Sequence, residues 1–154
     1  MVLPVDEESY AYRFYKTLNE DVKLTSNEYG EWDVVFENGD WVNCTGFDSL
    51  VNACIIAIMT RFQELDYSVF YDEFGCRIHE LIKSNKSKNT LYKMEVFINE
   101  VLNNMRRIER VNWIEITDNP DNQAYNYRVN FSITCISDDE DEDEGEIIEE
   151  SIIL

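Results

Sequence analysis

Asp72, Glu73, His79 and Glu80 are the residues closest to a chemical constellation in this chain. Two carboxyl groups about 5–10 Å apart, one desolvated enough to stay protonated, would suffice to hydrolyse a glycosidic bond. With 32 acidic residues in the sequence, however, such neighbours arise by coincidence. Glu80 beside His79 on a short helix suits a solvated or structural position, so the expectation is that the protein is not an enzyme. No Gly-x-Ser-x-Gly elbow, phosphate loop or Cys/His/Asn set points to another reaction. His79 reads as an anchor holding its short helix to the sheet. The four cysteines, Cys44, Cys54, Cys76 and Cys135, are scattered without a Cys-x-x-Cys pair. Zinc would need clustered Cys and His ligands, so no metal and no cofactor is expected. Cys54 falls on the apolar face of a predicted helix, and Cys135 keeps phase with the apolar positions of a predicted strand. All four therefore read as buried, reduced thiols.

The elements that must position these residues belong to a chain of 154 residues, long enough for one domain with a real core. The richest apolar run, residues 51–59, is broken by Asn52 and is far shorter than a membrane span. The start Met1-Val2-Leu3-Pro4-Val5-Asp6-Glu7-Glu8 lacks the basic and apolar regions of a signal peptide. A soluble protein made in the cytoplasm is expected, with no membrane partner. The net charge is −19, and residues 138–150 hold ten acidic side chains and no basic one, leaving −9 for the remainder. No basic field opposes phosphate, so nucleic acid is not expected as a partner. A nucleic-acid mimic is the alternative that such acidity raises, although mimics spread their carboxylates over a folded face. The organisation expected is an N-terminal arm over residues 1–20, a domain over 21–137 and an acidic tail over 138–154. The tail's apolar end, Ile147, Ile148, Ile152, Ile153 and Leu154, leaves two readings open: a solvated appendage, or a segment that docks on a partner.

Trp32, Val34 and Phe36 alternate with polar positions, and Asn38-Gly39 offers the two positive-φ residues of a type I′ turn before Asp40-Trp41-Val42-Asn43-Cys44 returns. From Phe47 the apolar residues fall at 47, 50, 51, 54, 55, 58, 59 and 62, a helical series, with Ile56 and Ala57 widening it. Thr45 and Asp48 have capping-box spacing before it. Gly75 permits a sharp turn, after which a short helix carries Ile78, Leu81 and Ile82 inward. Thr90 is the expected cap of a second long helix bearing Leu91, Met94, Phe97, Ile98, Val101, Leu102 and Met105. Arg106, Arg107 and Arg110 follow, where cations suit the negative end of a helix dipole. Residues 111–116 read as a strand and residues 119–122 as its turn. Tyr125, Tyr127, Val129, Phe131, Ile133 and Cys135 alternate with polar residues as a one-faced antiparallel strand. The fold expected is α+β: a small antiparallel sheet, built from an N-terminal and a C-terminal hairpin, packed on three helices.

Three segments in order carry a resemblance: Asn38-Gly39-Asp40, then Gly46-Phe47-Asp48-Ser49-Leu50, then Asp72-Glu73-Phe74-Gly75-Cys76-Arg77-Ile78-His79-Glu80-Leu81. Together they resemble the sheath initiator of contractile phage tails and tail-like particles, a baseplate wedge protein also given a "lysozyme-like" label. The resemblance covers roughly residues 20–137. It departs at Ile108-Glu109-Arg110, where the family carries Glu-Pro-Arg: Arg110 aligns, the proline is absent and Glu109 is shifted by one. The resemblance implies a structural protein that joins the baseplate wedge to the first sheath ring and nucleates sheath polymerisation by β-augmentation. The alternative that the label suggests is a cell-wall muramidase. Implied partners are the tail sheath protein, baseplate wedge proteins and tube or tube-initiator proteins, with several copies around the tail axis. The implied place is the virion baseplate, assembled in the host cytoplasm. The expected acceptor is the ladder of strand 125–136 with strand 111–116, carrying Tyr125, Tyr127, Val129, Phe131 and Ile133. Arg106, Arg107, Glu109 and Arg110 at its margin are expected to meet acidic partner segments.

Overall fold

Strict alternation in residues 127–135 sends Tyr127, Val129, Phe131, Ile133 and Cys135 to one side of a strand, and all five are completely buried. A computed structural model describes residues 20–27, 29–65, 73–118, 127–136 and 147–154. Most of the expected arm, Asp72, the 119–122 turn, Tyr125 and the acidic run of 138–144 lie outside the described residues.

The N-terminal portion is a set of short antiparallel strands: β1 (Asp21–Val22), β2 (Leu24–Ser26), β3 (Trp32–Val34), β4 (Phe36–Glu37), β5 (Asp40–Trp41) and β6 (Asn43–Cys44). The pairs are β1 with β6, β2 with β3 and β4 with β5. The type I′ reading holds at the tip, where Asn38 and Gly39 have φ of 53° and 86°. The expected single hairpin gains a third segment, residues 21–26, whose strands pair with β6 and β3. Lys23 sits at the junction: its N–H donates to the Val42 carbonyl at 2.8 Å, and its carbonyl accepts from the Val35 N–H at 3.0 Å. At the tip the apolar pair Phe36 and Trp41, matched across the turn, stands in solvent.

Helix α1 (Gly46–Met59) buries Leu50, Cys54, Ile55, Ala57 and Ile58, while Ile56 is exposed. Asn52, which interrupts the apolar run, is buried for a reason of its own. Its side-chain amide donates to the Val22 carbonyl at 2.8 Å and approaches the Cys44 Sγ at 3.2 Å, tying the helix to β1 and β6. The expected capping box does not form: Thr45 makes no side-chain cap bond. Gly46 enters the helix at φ 63°, so the chain arrives from a direction that leaves the Thr45 hydroxyl out of line.

The expected middle helix is instead one 3₁₀ turn, Arg77–Glu80. Four residues between a left-handed glycine and a polar loop are too few for an α-helix to repay its nucleation. Gly75 holds φ 106°, and a Cβ there would lie 2.4 Å from the Arg61 carbonyl oxygen. That close approach lets residues 60–63 zip against 74–76, through Cys76 N–H to Thr60 O at 2.8 Å and Phe62 N–H to Cys76 O at 3.1 Å. His79 anchors this turn, but to α1 rather than to the sheet: its Nε2 lies 2.9 Å from the Ile58 carbonyl oxygen.

Helix α2 (Lys88–Asn103) is capped by Ser87, whose hydroxyl accepts the Thr90 N–H, so Thr90 is the third residue of the helix and not its cap. Met94, Ile98 and Leu102 are buried. The last turn of α2 itself carries no basic residue. Arg106 and Arg107 fall in the following turn, and Arg110 lies on the next strand.

Three long strands close the fold: β7 (Ile108–Asp118), β8 (Tyr127–Cys135) and β9 (Ile147–Ile153), antiparallel in the order β7-β8-β9. Their inner face packs on α1 and α2, with one cluster running through Leu50, Ile58, Ile78, Met94, Ile98, Phe131 and Ile152. The class is α+β as expected, with two α-helices among the described residues in place of three. Ile152 is fully buried, worth about 1.5–3 kcal/mol in removed apolar surface.

Candidate functional site

The sheet that was expected to offer a border is better built than its sequence suggests. Strand β7 carries two register irregularities, between Ile108 and Arg110 and between Val111 and Trp113. The second brings Asn112 across to β8, where its amide donates to the Ser132 hydroxyl at 3.1 Å and its carbonyl accepts from Thr134 at 3.0 Å. Arg110 Nε donates to the same carbonyl at 3.1 Å. This polar bracket explains why Ser132 and Thr134, on the strand's hydrophilic side, are nevertheless buried.

Of the expected acceptor residues, Tyr127, Val129, Phe131 and Ile133 are wholly in the core, so their side chains cannot touch a partner. Only their backbone could, and here the expectation of an open border needs correction. β8 is the central strand: β7 pairs along one side and β9 along the other, with Arg128 opposite Ile153 and Thr134 opposite Ile147. The physical reason is the apolar end of the tail. Ile148 and Ile152 sit opposite Ile133 and Val129, and the Tyr127 and Leu154 backbones exchange hydrogen bonds of 3.0 and 2.8 Å. The outer borders among the described residues are those of β7 and β9.

The basic margin divides. Arg110 and Glu109 are exposed on β7. Arg107 is half-buried, its Nη1 is buried without a partner among the described residues, and its carbonyl accepts the Ile136 N–H at 3.2 Å. Burial pulls its guanidinium below the ordinary arginine range, although the nearby Cys54, Cys135 and Asp21 oppose this. Arg106 is exposed in the same turn. The structure thus gathers these four residues at the end of the sheet where β8 ends and the acidic segment begins. Tyr125 lies outside the described residues.

The carboxylates singled out first do not assemble. Glu73 is exposed, and Glu80 is exposed and ion-paired to Arg77 at 3.3 Å, so neither has the dry setting that a general acid needs. Among the described residues no group of Cys, His, Asp and Glu could hold a metal. All four cysteines are buried; burial pushes the Cys54 thiol up to about 12 and Cys76 up to about 11.

Sequence reasoning missed two features. One is β9, whose doubled isoleucines conceal its period. The other is a cleft between α2 and the outer border of β7, lined by Tyr92, Val96, Val111 and Trp113 among others, in which Tyr92 and Trp113 are exposed. Their types alone gave no sign that they would share a groove.

The model of the contractile injection system sheath initiator family matches residues 21–138. The chain belongs to that family. A comparison with curated proteins finds no match. As a sheath initiator it is a structural component of contractile tail assembly, interacting with sheath and baseplate components. Among the described residues no helix is long and apolar enough to cross a membrane. The family match ends at residue 138, so β9 lies entirely beyond it.

Proposed function

We propose that this sheath initiator joins the baseplate wedge to the first sheath ring and nucleates sheath polymerisation by strand addition at the β7–β8 ladder. The observation that carries this reading is the arrangement of β8 within the matched residues. There, β8 has a paired side and an unpaired side, because the strand on its second side comes from outside the match. A row of backbone N–H and C=O groups on a strand fixed by its own buried side chains is a ready acceptor for an extended segment. The helices behind it keep the border straight, so the first ring meets a fixed template. An initiator is useful for a simple reason: later rings pair with an earlier ring, and the first has none.

The same reading puts several copies around the tail axis at the base of the tube, in contact with wedge proteins and with tube or tube-initiator proteins. It puts assembly in the host cytoplasm. Arg106, Arg107, Glu109 and Arg110 orient acidic stretches of the incoming chain. Deleting the gene tests the reading. Micrographs should show naked tubes on intact baseplates, restored by a copy supplied in trans; sheathed tubes of ordinary length would refute it.

A further inference from the structure

We propose that β9 is a placeholder: the border of β8 beneath it is a binding site for a foreign β-strand, and β9 leaves when that strand arrives. The identity of the foreign strand, an arm of the sheath protein, rests on the function proposed above. The exchange itself does not.

Three observations point this way. First, β9 fits imperfectly at its centre. Register places Ile148, Glu150 and Ile152 opposite Ile133, Phe131 and Val129, on the face that packs on the helices. Glu150 therefore stands between two isoleucines on the helix-facing side, half-buried at a cleft also lined by Lys23, Trp32, Asp48 and Ile55, where its Oε1 accepts the Ser151 N–H at 3.1 Å. In that cleft the Trp32 Nε1–H is buried without a partner among the described residues. A strand bearing a neutral β-branched residue at this position would fit better. Second, the connection to β9 opposes closure. Eight of the ten residues 137–146 are acidic, whereas antiparallel neighbours can be joined by two. Like charges close together in sequence repel one another, most at low salt, and so weigh against docking of the strand that they precede. Third, the strand is held at its far end by a contact that one atom would abolish. Gly30, at φ 80°, lies against Ile153 so closely that a Cβ would be 2.7 Å from the Ile153 Cβ.

The ligand class follows from the vacated place. It is an extended segment, antiparallel to β8, with β-branched residues opposite Ile133 and Val129 and a neutral one opposite Phe131.

Backbone alternation provides a test on the unmodified full chain. The Tyr127–Leu154 pair is hydrogen-bonded, so the amides of Val129, Phe131 and Ile133 face β9, and those of Asn130, Ser132 and Thr134 face β7. Hydrogen exchange should run at least tenfold faster in the first set, and faster still at low salt. Equal protection of both sets would make β9 a permanent strand and overturn the proposal. A second arm uses a labelled peptide of residues 147–154 carrying Glu150→Thr as the probe. Full-length Glu150→Pro, which removes an inward ladder bond, should capture it at least tenfold more tightly than wild type. Glu149→Pro, whose N–H faces the outer border, should match wild type, and Glu150→Ile should bind at least tenfold more weakly. Identical binding across this series, or dimers formed by exchange of β9 between two copies in place of probe capture, would overturn the proposal. Sheath growth in cells reads the function separately: probe exchange with sheaths that still grow on Glu150→Ile contradicts the sheath arm as the natural ligand.

Discussion

The cysteines show how burial decides chemistry at the scale of one side chain. A thiol raised to about 12 at Cys54, or about 11 at Cys76, stays protonated, and so unreactive, wherever the protein is folded. Neither should react with a thiol reagent at neutral pH until denaturant is added. The linkage has a definite sign. The folded chain holds these protons more tightly than the unfolded chain, whose thiols titrate near 9.0. Stability is therefore complete below pH 9 and falls as pH rises toward 11–12, and Cys54→Ala should flatten that fall in denaturant melts. Arg107 poses the opposite case, a charge half-withdrawn from water with one N–H unmet. Arg107→Leu is expected to leave the melting temperature unchanged or higher, since a buried charge without a matched partner contributes little to stability. If the guanidinium orients a partner's carboxylate, the same variant lowers the yield of sheathed particles while the fold persists. Normal yields would remove Arg107 from the interface.

Elements were legible in the sequence where a single period governed them. The alternation of β8, the 3.6-residue series of α1 and α2 and the Asn38-Gly39 turn all translate directly into structure. Legibility failed where tertiary contact overrode local pattern. Ile147-Ile148 and Ile152-Ile153 put apolar residues on both sides of β9, so no alternation advertises a strand; pairing with β8 supplies what the pattern lacks. Asn52 looked like an interruption and is a brace, because its carbonyl partner lies 30 residues away on β1. The α2 cap is Ser87, three residues before Thr90, while Thr45 keeps the N-cap position of α1 without a side-chain bond because Gly46 redirects the chain there. The acceptor's side chains were identified correctly as apolar, but the strand that covers their backbone was not foreseen. Gly75 was recognised as a turn, without its neighbour. Gly75→Ala brings a methyl group against the Arg61 carbonyl at a φ that L-residues avoid, and should cost about 3 kcal/mol or more in denaturant unfolding. A cost below about 1 kcal/mol would mean that residues 60–63 and 74–76 part easily. Asn52→Ala leaves the Val22 carbonyl unmet and is expected to cost about 1–3 kcal/mol. Hydrogen exchange should report that loss first at β1 and β6.

For the whole molecule, a two-layer domain carries β9, a strand from beyond its family boundary, on the second border of its central strand. Eight of the nineteen net negative charges lie in residues 137–146, the connection to that strand, so ionic strength should act on the attachment of β9. The most direct measurement is electron cryo-microscopy of baseplates bearing the first sheath ring. The account predicts a sheath segment lying along β8 in the register now held by Ile147–Ile153, with β9 displaced. Density showing β9 still paired to β8, and the ring attached elsewhere, would contradict it.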